Sequence, residues 1–128
     1  MTVNRLVSAL FALTLLVNCA SVPVKSPPGL IGHRETGQAS FYAMKYQFKT
    51  TASGERFNQH AKTAAHRKLP FGTKVKVTNM QNGKSVVVKI NDRGPFVKRR
   101  IIDLSRSAFN SIGEIDSGVI KVAIEVIE

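Results

Sequence analysis

Tryptophan is absent from the 128-residue sequence, cysteine occurs once, and acidic residues are scarce, 8 against 19 lysines and arginines. With Cys19 alone no intramolecular disulfide can form, so the fold must be held by packing. The formal charge of +11 suits a polyanion or an anionic surface and carries no information about fold. The three histidines, His33, His60 and His66, lack ligand spacing, so no metal site and no cofactor are expected. No apolar run approaches the roughly 20 residues needed to cross a bilayer as a helix. There is no internal repeat and no low-complexity tract, and at this length one domain is the default.

The apolar run that does occur, Leu6 to Val17, is uncharged and follows Arg5. Its length and basic flank fit the core of a secretory signal peptide over residues 1–18. The lone cysteine follows at once in Leu16-Val17-Asn18-Cys19-Ala20-Ser21, which resembles a bacterial lipobox, with Asn18 where a small residue is usual. That resemblance implies cleavage before Cys19, acylation of its thiol and terminal amine, and stable attachment to a membrane. Ala20 after the cysteine resembles an outer-membrane sorting signal of enteric-type bacteria. Removing residues 1–18 takes away only Arg5 and lowers the formal charge from +11 to +10. An exported protein of that charge rarely meets nucleic acid; anionic lipid head groups or a negatively charged wall polymer are the expected partners. No protein partner is indicated. Residues 19–36, with Pro23, Pro27, Pro28, Gly29 and Gly32 and no periodic apolar pattern, read as a tether in which His33 is solvated.

Residues 37–128 read as short strands broken by turn residues. Gln38 to Tyr42 alternates, and Lys74 to Thr78 alternates cleanly with Val75 and Val77 on one face. Asn82-Gly83 supplies a hairpin turn, Ser85 to Ile90 returns from it, and Val119 to Ile127 closes the chain. Arg106 to Ile112 reads as a helix, capped by Ser105 and ended by Gly113, and a second helical turn is expected around Ala61 to Ala65. Six or so short strands with one or two short helices point to a small closed all-β barrel, since closure removes exposed strand edges.

Three polar clusters carry the candidate chemistry: Thr51-Ala52-Ser53-Gly54-Glu55, then Thr63-Ala64-Ala65-His66, then Ile90-Asn91-Asp92-Arg93-Gly94-Pro95-Phe96. The last sits where an apolar strand stops at a tight polar turn, a setting that presents a carboxylate on a rigid platform. Two carboxylates, Asp92 and Glu55, are the minimum for general acid/base cleavage of a glycosidic bond. By spacing alone, Glu55 is equally a solvated turn acid and His66 a structural histidine. Asp103 is expected to bond backbone amides near the helix start. Arg93, with Lys98, Arg99 and Arg100, reads either as a solvated basic face or as a holder of an anionic substrate beside Asp92.

These clusters, in this order, resemble the rare-lipoprotein-A (RlpA) family, septal-ring-type lytic transglycosylases built on a double-psi β-barrel. The matching blocks also include Gly37 to Tyr42, Leu69 to Thr73, Val75 to Asn79, Asn82-Gly83 and Arg100 to Ser105, and together they cover residues 37–128. The resemblance implies cleavage of peptidoglycan glycan strands, preferably strands without stem peptides, to 1,6-anhydro-N-acetylmuramic acid ends. It places the functional carboxylates on Asp92, as principal acid/base, and Glu55, as its partner. His66, Arg93 and Ser53 become positioning candidates. The loop Ala43 to Lys49 departs from the family pattern in lacking glycine. Two other readings fit the same residues: a non-catalytic, expansin-like glycan-binding module, and an envelope lipoprotein whose barrel binds protein.

Overall fold

The structure, a computed structural model, describes residues 28–128. The expected signal segment 1–18 and Cys19 lie outside the described residues. Six strands, β1 (Arg34–Phe41), β2 (Thr63–Ala65), β3 (Lys74–Asn79), β4 (Ser85–Asp92), β5 (Arg100–Leu104) and β6 (Ile120–Val126), close into a barrel in the order β1-β5-β2-β4-β3-β6. Two parallel pairs, β1 with β5 and β2 with β4, are set among antiparallel ones. This is the crossed connectivity of a double-psi β-barrel.

The strands form where β-branched residues alternate with polar ones. Along β3 Val75 and Val77 are buried between exposed lysines, and along β6 Ile120, Val122, Ile124 and Val126 are buried in turn. With Val88, Ile90, Ile102 and Leu104 they fill the barrel, and no disulfide is needed. The one α-helix among the described residues, α1 (Arg106–Ile112), begins at Ser105, whose hydroxyl accepts from the Ala108 amide at 3.3 Å. Its Phe109 meets Phe41 edge-on at 4.8 Å and, with Ile112, seals the core. Gly37 marks where β1 presses on β5: a Cβ there would stand 2.7 Å from Ile101 Cγ2 and 3.1 Å from the Arg99 carbonyl oxygen.

Three expectations change. The segment expected as a helical turn, Ala61 to Ala65, contains β2 instead: its small residues are buried on every side between β4 and β5, and a run this short carries no period. The first strand starts at Arg34, before the expected domain start at 37, because Arg34 to Ala39 pair in sequence with β6. Asp103 bonds side chains rather than backbone amides, taking the Ser40 hydroxyl and the Arg100 guanidinium at 2.8 and 2.9 Å.

Candidate active site

β4 carries its apolar run, Val88 and Ile90, into the barrel and ends at Asp92, after which Gly94 turns the chain at φ +123°. Residues 51–55 form a tight loop, with the Gly54 amide on the Thr51 carbonyl and the Thr51 hydroxyl on the Glu55 carbonyl at 2.8 Å. Three contacts with Asn91 and Asp92 help dock that loop on the end of β4. The Ala52 amide donates to Asp92 Oδ1 at 2.9 Å, the Ser53 amide to the Asn91 carbonyl at 3.2 Å, and Asn91 Nδ2 to Glu55 Oε2 at 3.2 Å. Asp92 and Glu55 are therefore brought to one place by one docking event.

Each oxygen of Asp92 accepts a hydrogen bond, because the Tyr42 hydroxyl donates to Oδ2 at 2.6 Å. Burial raises the Tyr42 phenol well above its ordinary value, and the hydrogen bond to Asp92 and its charge push it the same way. The phenol therefore stays protonated and acts as a donor. Glu55 is more open to solvent and pairs with Lys89 Nζ at 2.9 Å. The Lys89 hydrogen bond lowers its pKa below the usual carboxylate value; burial opposes this, and the Asn91 hydrogen bond and the Lys89 charge assist. The two carboxylates thus differ in setting: Asp92 is half-buried and fixed in orientation, whereas Glu55 is exposed and held anionic.

The remaining candidates brace this pair. Ser53 accepts the Glu55 amide at 3.3 Å and shares a hydrogen bond with the Thr51 hydroxyl, so it shapes the loop. His66 is buried, and its amide donates to the Asp92 carbonyl. Its Nδ1 accepts from the Lys68 and Leu69 amides, both at 3.1 Å, which leaves the ring proton on Nε2, donated to Glu35 Oε2 at 2.8 Å. Burial lowers the His66 pKa, and Glu35 offsets this only in part. With both nitrogens engaged, His66 positions the segment after β2. Arg93 donates to the His66 and Leu69 carbonyls and lies 3.9 Å from the centre of the Phe71 ring. Its guanidinium anchors that same segment rather than pairing with Asp92.

Sequence reasoning missed Tyr42, Lys89, Asn91 and Glu35. The first three lie inside or beside blocks already singled out, but their roles depend on contacts 50, 34 and 36 residues away. Glu35 falls in the stretch expected as tether. His33, expected to be solvated there, also reaches Glu35, at 3.2 Å, and its backbone pairs with Val126. Among the described residues, no cluster of three or more histidine, cysteine or acidic side chains could hold a metal.

A family model described as lytic transglycolase matches residues 34–124. A relative in Synechocystis named probable endolytic peptidoglycan transglycosylase RlpA is 47% identical over 133 aligned residues, covering 99% of this chain and 41% of its own length. A Nostoc relative of the same name is 60% identical over 71% of this chain and 25% of its own, and the Pasteurella multocida endolytic peptidoglycan transglycosylase RlpA is 53% identical over 76% and 33%. The chain thus spans well under half the length of these curated relatives. Among solved structures, a Streptomyces papain inhibitor superposes with a TM-score of 0.63 at 24% identity, covering 77% of this chain and 97% of that one. A Clavibacter michiganensis expansin superposes with a TM-score of 0.60 at 20% identity, covering 75% and 51%. These likenesses establish the barrel fold.

Proposed function

The chain belongs to the lytic transglycolase family, and from that premise we propose that it is a lyase that cleaves the glycan strands of peptidoglycan to 1,6-anhydro-N-acetylmuramic acid ends. The observation that carries the reading is the docking of the 51–55 loop on β4, which sets an oriented carboxylate, Asp92, beside an anionic one, Glu55. Asp92 is the principal acid/base. It gives a proton to the departing glycosidic oxygen, and in the ionised form takes the proton of the C6 hydroxyl that closes on the anomeric carbon. Glu55, held as an anion by Lys89, offsets the positive charge that grows on the sugar ring as the bond breaks. No water is consumed, because the nucleophile is the sugar's own hydroxyl.

The test is a digest of peptide-free glycan strands by the purified chain, with the ends analysed for the anhydro product. Asp92→Asn and Glu55→Gln should each abolish release. Undiminished product from both variants would overturn the assignment, and strand binding without any anhydro product would favour the expansin-like reading. The same proposal extends to the amino terminus: Cys19 is acylated after cleavage of residues 1–18, and the barrel is exported and tethered to a bacterial membrane through it. Labelled palmitate should enter the wild-type chain and be lost in Cys19→Ser.

A further inference from the structure

A groove of about 530 Å³ contains neither carboxylate. It lies between α1 and the loop that follows β1, and Met44, Gln47, His60, Lys62, Arg106 and Asn110 are among its lining side chains. Two of these are cationic and no carboxylate lines it. Lys62 Nζ spends two donors on the Ser107 carbonyl and hydroxyl, which leaves one of its three N–H groups. Arg106 stacks 4.9 Å from the centre of the Phe41 ring, and its buried Nε has no hydrogen-bond partner among the described residues. Neither cation has an acidic partner among the described residues. The first amides of α1 are already taken by Gln59 and Ser105, so the site is made of side chains and not of the helix end.

The groove is also joined to Asp92 through a chain of hydrogen bonds. Gln59 is buried, donates to the Tyr42 and Ala43 carbonyls at 3.0 and 3.1 Å, and accepts the Arg106 amide at 2.9 Å. Its own amide donates to Gln47 Oε1 at 2.7 Å. One loop therefore carries Tyr42 to Asp92 and sets Met44 and Gln47 in the groove.

We infer that this groove is a subsite for a carboxylate carried on a muramyl sugar of the strand, held by Lys62 and Arg106 while amide and imidazole groups of Gln47, Asn110 and His60 contact the saccharide. The inference rests on the glycan-cleaving reading above. An uncompensated pair of cations beside neutral hydrogen-bonding side chains fits a saccharide bearing one anionic substituent, and the chemistry is the same whether that carboxylate is the lactyl group or the end of a stem peptide.

The experiment uses the full chain in detergent with three probes: peptide-free strands, the same strands with their carboxylates converted to methylamides, and strands that retain stem peptides. On peptide-free strands, Lys62→Gln/Arg106→Gln should raise KM about tenfold, the loss of roughly one charged contact, with kcat unchanged. Methylamidation should cost the wild type a similar factor and the variant nothing more. Asn110→Asp, an exposed change that adds a negative charge to the groove, should raise KM in the same way and covers the case in which the double variant fails to fold. Calorimetric titration of Asp92→Asn with the same probes reads binding without turnover. Charge-dependent binding with no cleavage by the wild type would leave the subsite standing and remove the catalytic reading. Cleavage of peptide-free strands indifferent to methylamidation, together with binding and cleavage of both kinds of strand indifferent to all groove variants, would overturn the subsite. Tighter binding of peptide-free strands assigns the lactyl carboxylate, and tighter binding of peptide-bearing strands assigns the peptide carboxylate.

Discussion

Tyr42 and Asp92 are 50 residues apart in the chain and belong to opposite parts of the barrel ring, yet the Tyr42 hydroxyl donates to Asp92 Oδ2 at 2.6 Å. The tyrosine ring is held independently, 4.2 Å from the Phe57 ring centre and edge-on to Tyr46 at 5.8 Å. The hydroxyl is thus aimed by packing, and the carboxylate is aimed by the hydroxyl. Asp92 is fixed before any substrate arrives, which lowers the cost of orienting it in the transition state.

Tyr42→Phe keeps the packing and removes this one bond. A hydrogen bond to a charged group contributes about 1.5–3 kcal/mol, which corresponds to a fall in kcat of about 10- to 100-fold. KM should change little, because the phenol is committed to Asp92. Steady-state kinetics on peptide-free strands decide the point; an unchanged kcat would mean that the Ala52 amide alone orients Asp92.

Glu55 owes its lowered pKa first to Lys89. If the anion is the working form, activity should persist through neutral pH and fall only as pH drops through a value below the usual carboxylate range. Lys89→Met removes the largest cause, so the acidic limb of the kcat/KM profile should move to higher pH while the plateau stays. Coincident limbs in the two enzymes would show that Glu55 does not set that limb.

Gly37 supplies a stability test away from the carboxylates. Gly37→Ala drives a methyl to 2.7 Å from Ile101 Cγ2, a branch at the β-carbon that cannot swing clear, and to 3.1 Å from the Arg99 carbonyl oxygen. Overpacking of this kind costs about 1–3 kcal/mol, to be read as a lower urea midpoint with an unchanged slope. Wild-type stability in the variant would mean that β1 and β5 separate freely.

The barrel was legible wherever one face of a strand is buried and the other is wet, as in Lys74 to Thr78, and the helix wherever a cap and a stop flank it, as in Ser105 to Gly113. It was not legible at β2, whose three small residues are buried on every side and carry no alternation. The two carboxylates stood out because each ends a loop block, but the residues that tune them did not. Lys89 looks like one more exposed strand lysine, and Tyr42 like a strand-end aromatic. Only the closed topology brings them to Glu55 and Asp92. The contacts of Arg93 were equally illegible: the sequence offered a solvated basic face or a holder of an anionic substrate beside Asp92, and the fold turns its guanidinium to the Leu69 and His66 carbonyls and the Phe71 ring.

His66 gives stability a pH dependence of definite sign. Its ring is buried with the proton on Nε2, and burial lowers its pKa despite the nearby Glu35 carboxylate. A histidine with a depressed folded pKa binds more protons in the unfolded chain. Its contribution is therefore complete above the unfolded value of about 6.5 and is lost as pH falls through the lower folded value. Unfolding free energy from urea titrations should decline as pH is taken from about 7 to about 5.5, by at most about 1.4 kcal/mol per pH unit for one proton. Glu35→Gln removes the influence that raises the His66 pKa, so in that variant the decline should continue to lower pH. A flat wild-type profile across this window would show that His66 is not held neutral in the folded barrel.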